Sequence, residues 1–206
     1  MNNAILFKIN EDAFIQILIP YPVQELECCE IVTITLNQGQ QSYIVYQHHC
    51  IQIAMEYLNF LLNQAIKQKL QVHPSIVKNL GYLANEYFNE SPNEKLVLTE
   101  NNQTWIGMNY SLWSPREVGT WIYNRDAEIF LEVTPLYRWH FSDPEEGENF
   151  ITYEEFLKNY KLYLLFKLSK EVALEWLNKT EELLSIMKRN YEQCKYLHQA
   201  EVSSID

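Results

Sequence analysis

At residue 51 the apolar repeat of this chain lengthens from every second residue to every third or fourth, which calls for strands before that point and a helix after it. Before it, Ile31-Val32-Thr33-Ile34-Thr35-Leu36 alternates apolar side chains with Thr, the pattern of a half-buried strand. Asn37-Gln38-Gly39-Gln40 reads as a turn, and residues 42–46 as the returning arm of a hairpin. Shorter β-type runs at 5–7 and 14–19 precede this hairpin, and Pro20-Tyr21-Pro22 stops the second of them. After residue 51, Ile51, Ala54, Met55, Leu58, Leu61, Leu62, Ala65, Ile66 and Leu70 fall on one helical face. Gln52, Glu56, Asn59, Gln64, Lys67 and Gln68 fall on the other.

The rest of the chain repeats this change of period. Pro74 follows the helix, and a shorter helix is expected over about 75–88, ended by Asn89-Glu90-Ser91-Pro92-Asn93. Strands are expected at 96–99, 105–108, 120–123 and 129–134, with Asn124-Arg125-Asp126-Ala127 as the hairpin loop between the last two. Thr152 and Glu155 make a capping box for a helix with Phe156, Leu157, Tyr160, Leu164 and Leu165 as its apolar stripe. Ser169 and Val172 open a last helix with Val172, Ala173, Trp176, Leu177, Leu183, Leu184, Met187 and Tyr191 on one face. Strands, a helix, strands and then helices describe an α+β fold: an antiparallel sheet, an amphipathic helix after the N-terminal strands, and two C-terminal helices packed on it. At 206 residues the chain suits one core, so a single domain is expected over 1–198, with 199–206 as a frayed tail.

Charge narrows the partners. The formal net charge is −11. Residues 1–150 carry 8 basic and 18 acidic side chains, whereas residues 151–206 carry 8 and 9. Nucleic acid and anionic membranes attract positive patches, so neither is an expected partner; a basic protein is. The N-terminal residues lack a basic stretch followed by an apolar core, and no apolar run approaches the roughly 18 residues that span a bilayer. Cys28, Cys29, Cys50 and Cys194 show no paired spacing and read as reduced thiols. Together these features point to a cytoplasmic protein.

Catalytic and metal motifs do not emerge. His48-His49-Cys50 reads as a polar strand-to-helix junction, because zinc needs converging ligands and His73, His140 and His198 each stand alone. Nothing in the sequence places a His and a carboxylate beside Cys50 or Cys194 for thiol catalysis. Gly-rich phosphate loops, nucleophile elbows and zinc-protease helices are all absent, so neither an enzyme nor a cofactor is expected.

The most unusual local feature is an acidic loop. Asp143, Glu145, Glu146, Glu148, Glu154 and Glu155 place six carboxylates within thirteen residues, with no basic residue among them. A calcium loop starting at Asp143 fails, since Pro144 stands second and Gly147 fifth where the turn glycine should be sixth. The segment then reads either as a solvated charge run or as a docking surface for a cationic protein. Trp113, Trp121, Tyr123, Tyr137, Trp139 and Phe141 lead into it; these aromatics read as core, with Trp139-His140 the exception because it lies past Pro135, where the strand has ended.

At Glu132-Val133-Thr134-Pro135-Leu136-Tyr137-Arg138-Trp139, the acidic loop and Tyr153-Glu154-Glu155-Phe156-Leu157-Lys158-Asn159-Tyr160, the chain resembles immunity proteins of bacterial contact-dependent inhibition and other polymorphic toxin systems. The likeness covers roughly the C-terminal half and rests on an acidic, aromatic-rich α+β character. It implies a tight, non-catalytic complex with one cognate toxin, often a basic nuclease. Asp143, Glu145, Glu146, Glu148, Trp139 and His140 are the candidate partner-binding residues. The alternatives are an acidic secretion or assembly chaperone, which needs an exposed apolar groove, and an enzyme of unfamiliar type.

Overall fold

The structure, a computed structural model, describes residues 3–29, 31–48, 50–74, 76–89, 109–115, 117–140 and 142–203, with side chains to residue 193. The strands expected at 96–99 and 105–108, together with His49, Phe141 and the Cys194 side chain, lie outside these residues. The chain is α+β with antiparallel pairing, and its strands are shared between two sheets. It divides into two compact units, one made of Met1–Asn63 and Glu171–Asp206, the other of Gln64–Lys170.

The first unit is a four-stranded meander, β1 (Asn3–Lys8), β2 (Ala13–Ile19), β3 (Val32–Gln38) and β4 (Gln41–His48), with each strand paired to the next. Alternation decides its buried face: Ile5 and Phe7, Ile15, Ile17 and Ile19, Val32, Ile34 and Leu36 are all buried, whereas Thr33 and Thr35 are not. Gly39, at φ +56, makes the tight β3–β4 turn without a Cβ penalty. Two helices complete the unit, α1 (Ile51–Ile66) and α4 (Lys170–Ser203). Ala54, Met55, Leu58, Leu61 and Leu62 of α1 are buried, as are Ala173, Trp176, Leu183 and Met187 of α4. Asn59 of α1 donates to the Thr180 hydroxyl of α4 at 3.0 Å, which satisfies both polar groups within an apolar contact.

An edge strand exposes unpaired backbone carbonyls, and α4 covers two of them on β1. The Trp176 indole N–H donates to the Lys8 carbonyl at 2.8 Å, and the Lys179 ammonium donates to that of Leu6 at 2.7 Å. Trp176 also meets Phe7 edge-on at 5.7 Å between ring centroids. Further along, Asn190 donates to the carbonyls of Gln24 and Leu26, each at 2.9 Å, and so ties α4 to the β2–β3 connection.

The second unit is built on a three-stranded antiparallel sheet, β5 (Val118–Arg125), β6 (Glu128–Pro135) and β7 (Leu164–Leu168), in that order. The free side of β5 is covered by irregular backbone. The Leu112 amide donates to the Thr120 carbonyl and the Thr120 amide to the Trp113 carbonyl, each at 2.8 Å, while the Asn124 and Val72 amides donate to the Leu70 and Asn124 carbonyls at 2.8 and 2.9 Å. A ten-residue helix, α2 (Leu80–Asn89), lies against β5 and β6. Gly81 makes that contact possible: a Cβ there would stand 1.8 Å from Thr134 Cγ2. A short α3 (Tyr153–Asn159) is capped by the Thr152 hydroxyl, which accepts from the Glu155 amide at 3.2 Å as the capping box predicts.

Three local expectations need correction. The helix expected to carry Leu164 and Leu165 ends at Asn159, and these residues begin β7, where Leu164, Phe166 and Leu168 alternate inward. The first helix stops at Ile66, short of Leu70, because Gln68 takes a left-handed φ of 58° and closes a C-terminal cap. In that cap the amides of Gln68 and Lys69 bond the carbonyls of Ala65 and Gln64. Asn124 is strand and core: it is fully buried, and its side chain bonds the Leu70 amide and the Ala65 carbonyl.

Candidate functional site

The predicted partner-binding residues all follow Pro135, where β6 ends. Tyr137, buried, fixes this segment from both ends. Its amide donates to Asn85 Oδ1 at 2.7 Å and its hydroxyl to the Ile151 carbonyl at 3.0 Å, so residues 138–150 form a loop tied at its base. Asn85 is the hidden organiser. Fully buried on α2, it donates to the Gly81 and Pro135 carbonyls at 2.8 and 3.0 Å and accepts from the Tyr137 amide and His140 Nε2, so its amide group is fully used.

Glu148 holds the loop's conformation. Its carboxylate accepts from the Arg138 guanidinium, from the Trp139 indole N–H at 3.1 Å and from the Glu145 amide at 3.0 Å. The Glu148 amide returns a bond to the Glu145 carbonyl at 3.1 Å, closing a turn with Gly147 at φ +88, the position where a type II turn calls for glycine. Arg138 also pairs with Glu117 at 2.8 Å. One of the four carboxylates in the 143–148 run is therefore neutralised within the loop, and Arg138 is its counter-charge. No spacing rule in the sequence pointed to that pairing.

Asp143, Glu145 and Glu146 are exposed, and so are Glu154 and Glu155 in the first turn of α3. Phe150 stands among them 48% exposed, with its ring 5.2 Å from that of Trp139 in an edge-on contact. Trp139 itself is half-buried: one end is pinned to Glu148, and its ring meets Tyr137 at 5.6 Å. His140 is half-buried among Tyr137, Tyr153 and Phe88, with Nε2 3.2 Å from Asn85 Oδ1. Burial lowers its pKa to about 4, so the ring is neutral at pH 7 and adds no positive charge to the surface. The surface thus joins five exposed carboxylates to an aromatic pair on a loop whose shape is set by its own contacts.

A second polar group in this unit was not singled out by the sequence. Glu132 is fully buried and accepts from the first amides of α2, Leu80 at 3.2 Å and Gly81 at 2.7 Å, and from the Tyr123 hydroxyl at 3.1 Å. Burial raises its pKa, while these donors and the positive end of the helix work against that rise. A carboxylate interrupting Ile129-Phe130-Leu131 and Val133 was the only sequence signal for it. Its partners give it a structural task, namely anchoring the start of α2.

His48, Cys28, Cys29 and Cys50 belong to the first unit. Cys28 and Cys29 lie with sulfurs 3.6 Å apart, and the Cys50 thiol donates to the Cys28 carbonyl at 3.3 Å. Among the described residues, no group of three or more His, Cys, Asp and Glu side chains is placed to hold a metal ion, and no helix is long and apolar enough to cross a membrane. No protein-family model matches the chain, and comparisons with curated proteins and with solved structures return no match.

Proposed function

We propose that this chain is a non-catalytic binding protein of the immunity type, which neutralises a basic protein toxin by stoichiometric binding through the loop that follows β6. The observation that carries this reading is the division of labour among the loop's carboxylates. Glu148 fixes the loop to Arg138 and Trp139, which leaves Asp143, Glu145 and Glu146 exposed on a preset frame. A solvated charge run has no need of such a frame. A docking surface gains from it, because a loop already in its bound shape loses less entropy on association. Phe150 and Trp139 supply the aromatic anchor that a purely electrostatic contact lacks.

A second reading has its own observation. On α1, Ile53, Tyr57 and Phe60 follow helical spacing and are 45%, 55% and 56% exposed. That stripe is the apolar surface an assembly chaperone would need. Comparative capture separates the two readings. Immobilised wild-type protein, the triple variant Asp143→Asn/Glu145→Gln/Glu146→Gln, and the double variant Ile53→Ser/Phe60→Ser are each exposed to lysate of the source cells. The immunity reading predicts one basic protein held in stoichiometric amount by wild type, depleted on the triple variant and retained on the double. Loss on the double variant alone would favour the chaperone reading, and no stoichiometric basic partner on wild type would reject the immunity reading.

A further inference from the structure

We infer that the cleft at the Asp126-Ala127 end of the β5–β6 hairpin is a binding site for a carboxylate carrying an apolar substituent. This goes beyond the proposed function and rests on a different part of the second unit. The docking loop follows Pro135 at one end of the hairpin and the cleft lies at the other, about seven residues or roughly 23 Å of strand away.

The cleft has a volume of about 440 Å³, within the range of small-molecule sites. Its apolar wall is Val72, Pro74, Ile76 and Val77, and Gln71, His73, Arg125 and Asp126 supply its polar groups. Arg125 gives the cleft its selectivity. Its guanidinium lies over the Tyr123 ring at 5.5 Å and gives one hydrogen bond, to the Ile76 carbonyl at 3.3 Å, which leaves most of its five N–H donors for other partners. The carboxylate that should neutralise it is engaged elsewhere. Glu128 stands directly across the hairpin from Arg125 but pairs with Lys167 at 2.8 Å. Buried Glu132 feels the charge of Arg125 without pairing with it, so in a chain of net charge −11 this half-buried guanidinium lines a cleft and makes no ion pair with a carboxylate among the described residues, which makes it a poised anion site.

The backbone around the cleft is also held in place. Asp126 and Ala127 both adopt left-handed φ, 50° and 64°, as the two central residues of a tight hairpin turn do. The Gln68 side chain, from another left-handed residue, donates to the Ala127 carbonyl at 3.0 Å and clasps the turn.

Two features select among anions. Asp126 at the rim and the charge of the whole chain repel a dianion more than a monoanion, which favours a carboxylate over phosphate. The planar fork of Arg125 matches a carboxylate, and the Val72–Ile76–Val77 wall matches a short aliphatic group. The ligand is thus either a small branched-chain acid or the C-terminal residue of a peptide.

The test is a methyl and amide NMR titration of the full chain with isovalerate, N-acetyl-leucine, N-acetyl-leucinamide and inorganic phosphate. Saturable shifts at Val72, Ile76 and Val77 are expected with the two carboxylates, with an affinity near the millimolar range and at least about tenfold weaker with the amide and phosphate. Tighter binding of N-acetyl-leucine than of isovalerate points to a peptide terminus, and the reverse to a free acid. Arg125→Gln should abolish the shifts, and Arg125→Lys should retain a weakened response. Asp126→Asn, which leaves every Arg125 contact in place, should tighten carboxylate binding several-fold. Equal response to acid and amide, tighter phosphate binding, or no gain from Asp126→Asn would overturn the assignment.

Discussion

The two units reach stability by different routes. In the first, apolar alternation does nearly everything: three consecutive strands bury Ile, Val, Leu and Phe on one face, and Thr180 is the one fully buried polar side chain there among the described residues. In the second, Asn85, Thr120, Asn124, Glu132 and Thr134 are all buried, and each bonds to backbone or to another side chain. The contrast follows from backbone regularity. Complete ladders satisfy their own amides and carbonyls, whereas irregular stretches such as 70–72 and 110–113 leave groups that side chains must meet. The polar core of the second unit is the consequence of its irregular connections. It is also what allows a long loop after β6 to hold a defined shape.

Substitutions can break this comparison. The largest effect is expected in the apolar unit. Trp176→Ala removes a fully buried ring and uncovers the Lys8 carbonyl, and it should cost about 3–5 kcal/mol in chemical denaturation. Hydrogen exchange should then accelerate first in β1 and β2. A loss below 1 kcal/mol, or acceleration confined to β5 and β6, would mean that the first unit does not depend on this contact.

A smaller effect is expected from Glu132→Gln. The carboxamide has one acceptor oxygen where the carboxylate uses two, so one of the donors from Leu80, Gly81 and Tyr123 loses its partner, at about 1–3 kcal/mol. Exchange should rise in α2 while β1–β4 are unchanged. Rising pH has a distinct signature here. Because burial raises the Glu132 pKa in the folded state, its contribution to stability is greatest at low pH and is lost as pH climbs through the folded pKa.

His140 works in the opposite sense and with less effect. Its folded pKa of about 4 lies below the ordinary 6.5, so the unfolded chain binds the extra proton first, and stability falls as pH drops from 6.5 towards 4. Imidazole NMR should show a midpoint near 4, and His140→Gln should flatten the stability profile between pH 6.5 and 5. A midpoint near 6.5 would place the ring in solvent, outside its contact with Asn85.

The same contrast sets how much was legible. Period-two and helical stripes located β1–β4, α1, β5, β6 and α4, because in these elements burial and periodicity coincide. The end of α1 was not legible, since its left-handed cap residue is Gln68 and the usual signal is glycine. β7 was hidden by the capping box before it: Tyr160, Leu164 and Leu165 also fit a helical repeat, and only pairing with β6 resolves Leu164, Phe166 and Leu168 into a strand. For the site, the exposed carboxylates and Trp139 could be read from local sequence, whereas its ring partner Phe150 was not singled out. The frame could not, because Arg138–Glu148 and Asn85–Tyr137 are contacts of chain folding and leave no short-range pattern.

The most direct test of the account is the association rate of the protein with its captured basic partner, followed by stopped flow across ionic strength. Exposed charges act mainly on encounter, and salt screens them. For Asp143→Asn/Glu145→Gln/Glu146→Gln the predicted result is association slowed by roughly tenfold at low salt, a flatter salt dependence and unchanged unfolding. An association rate and salt slope equal to wild type would contradict it, leaving the loop after β6 as a solvated surface and the partner's site elsewhere.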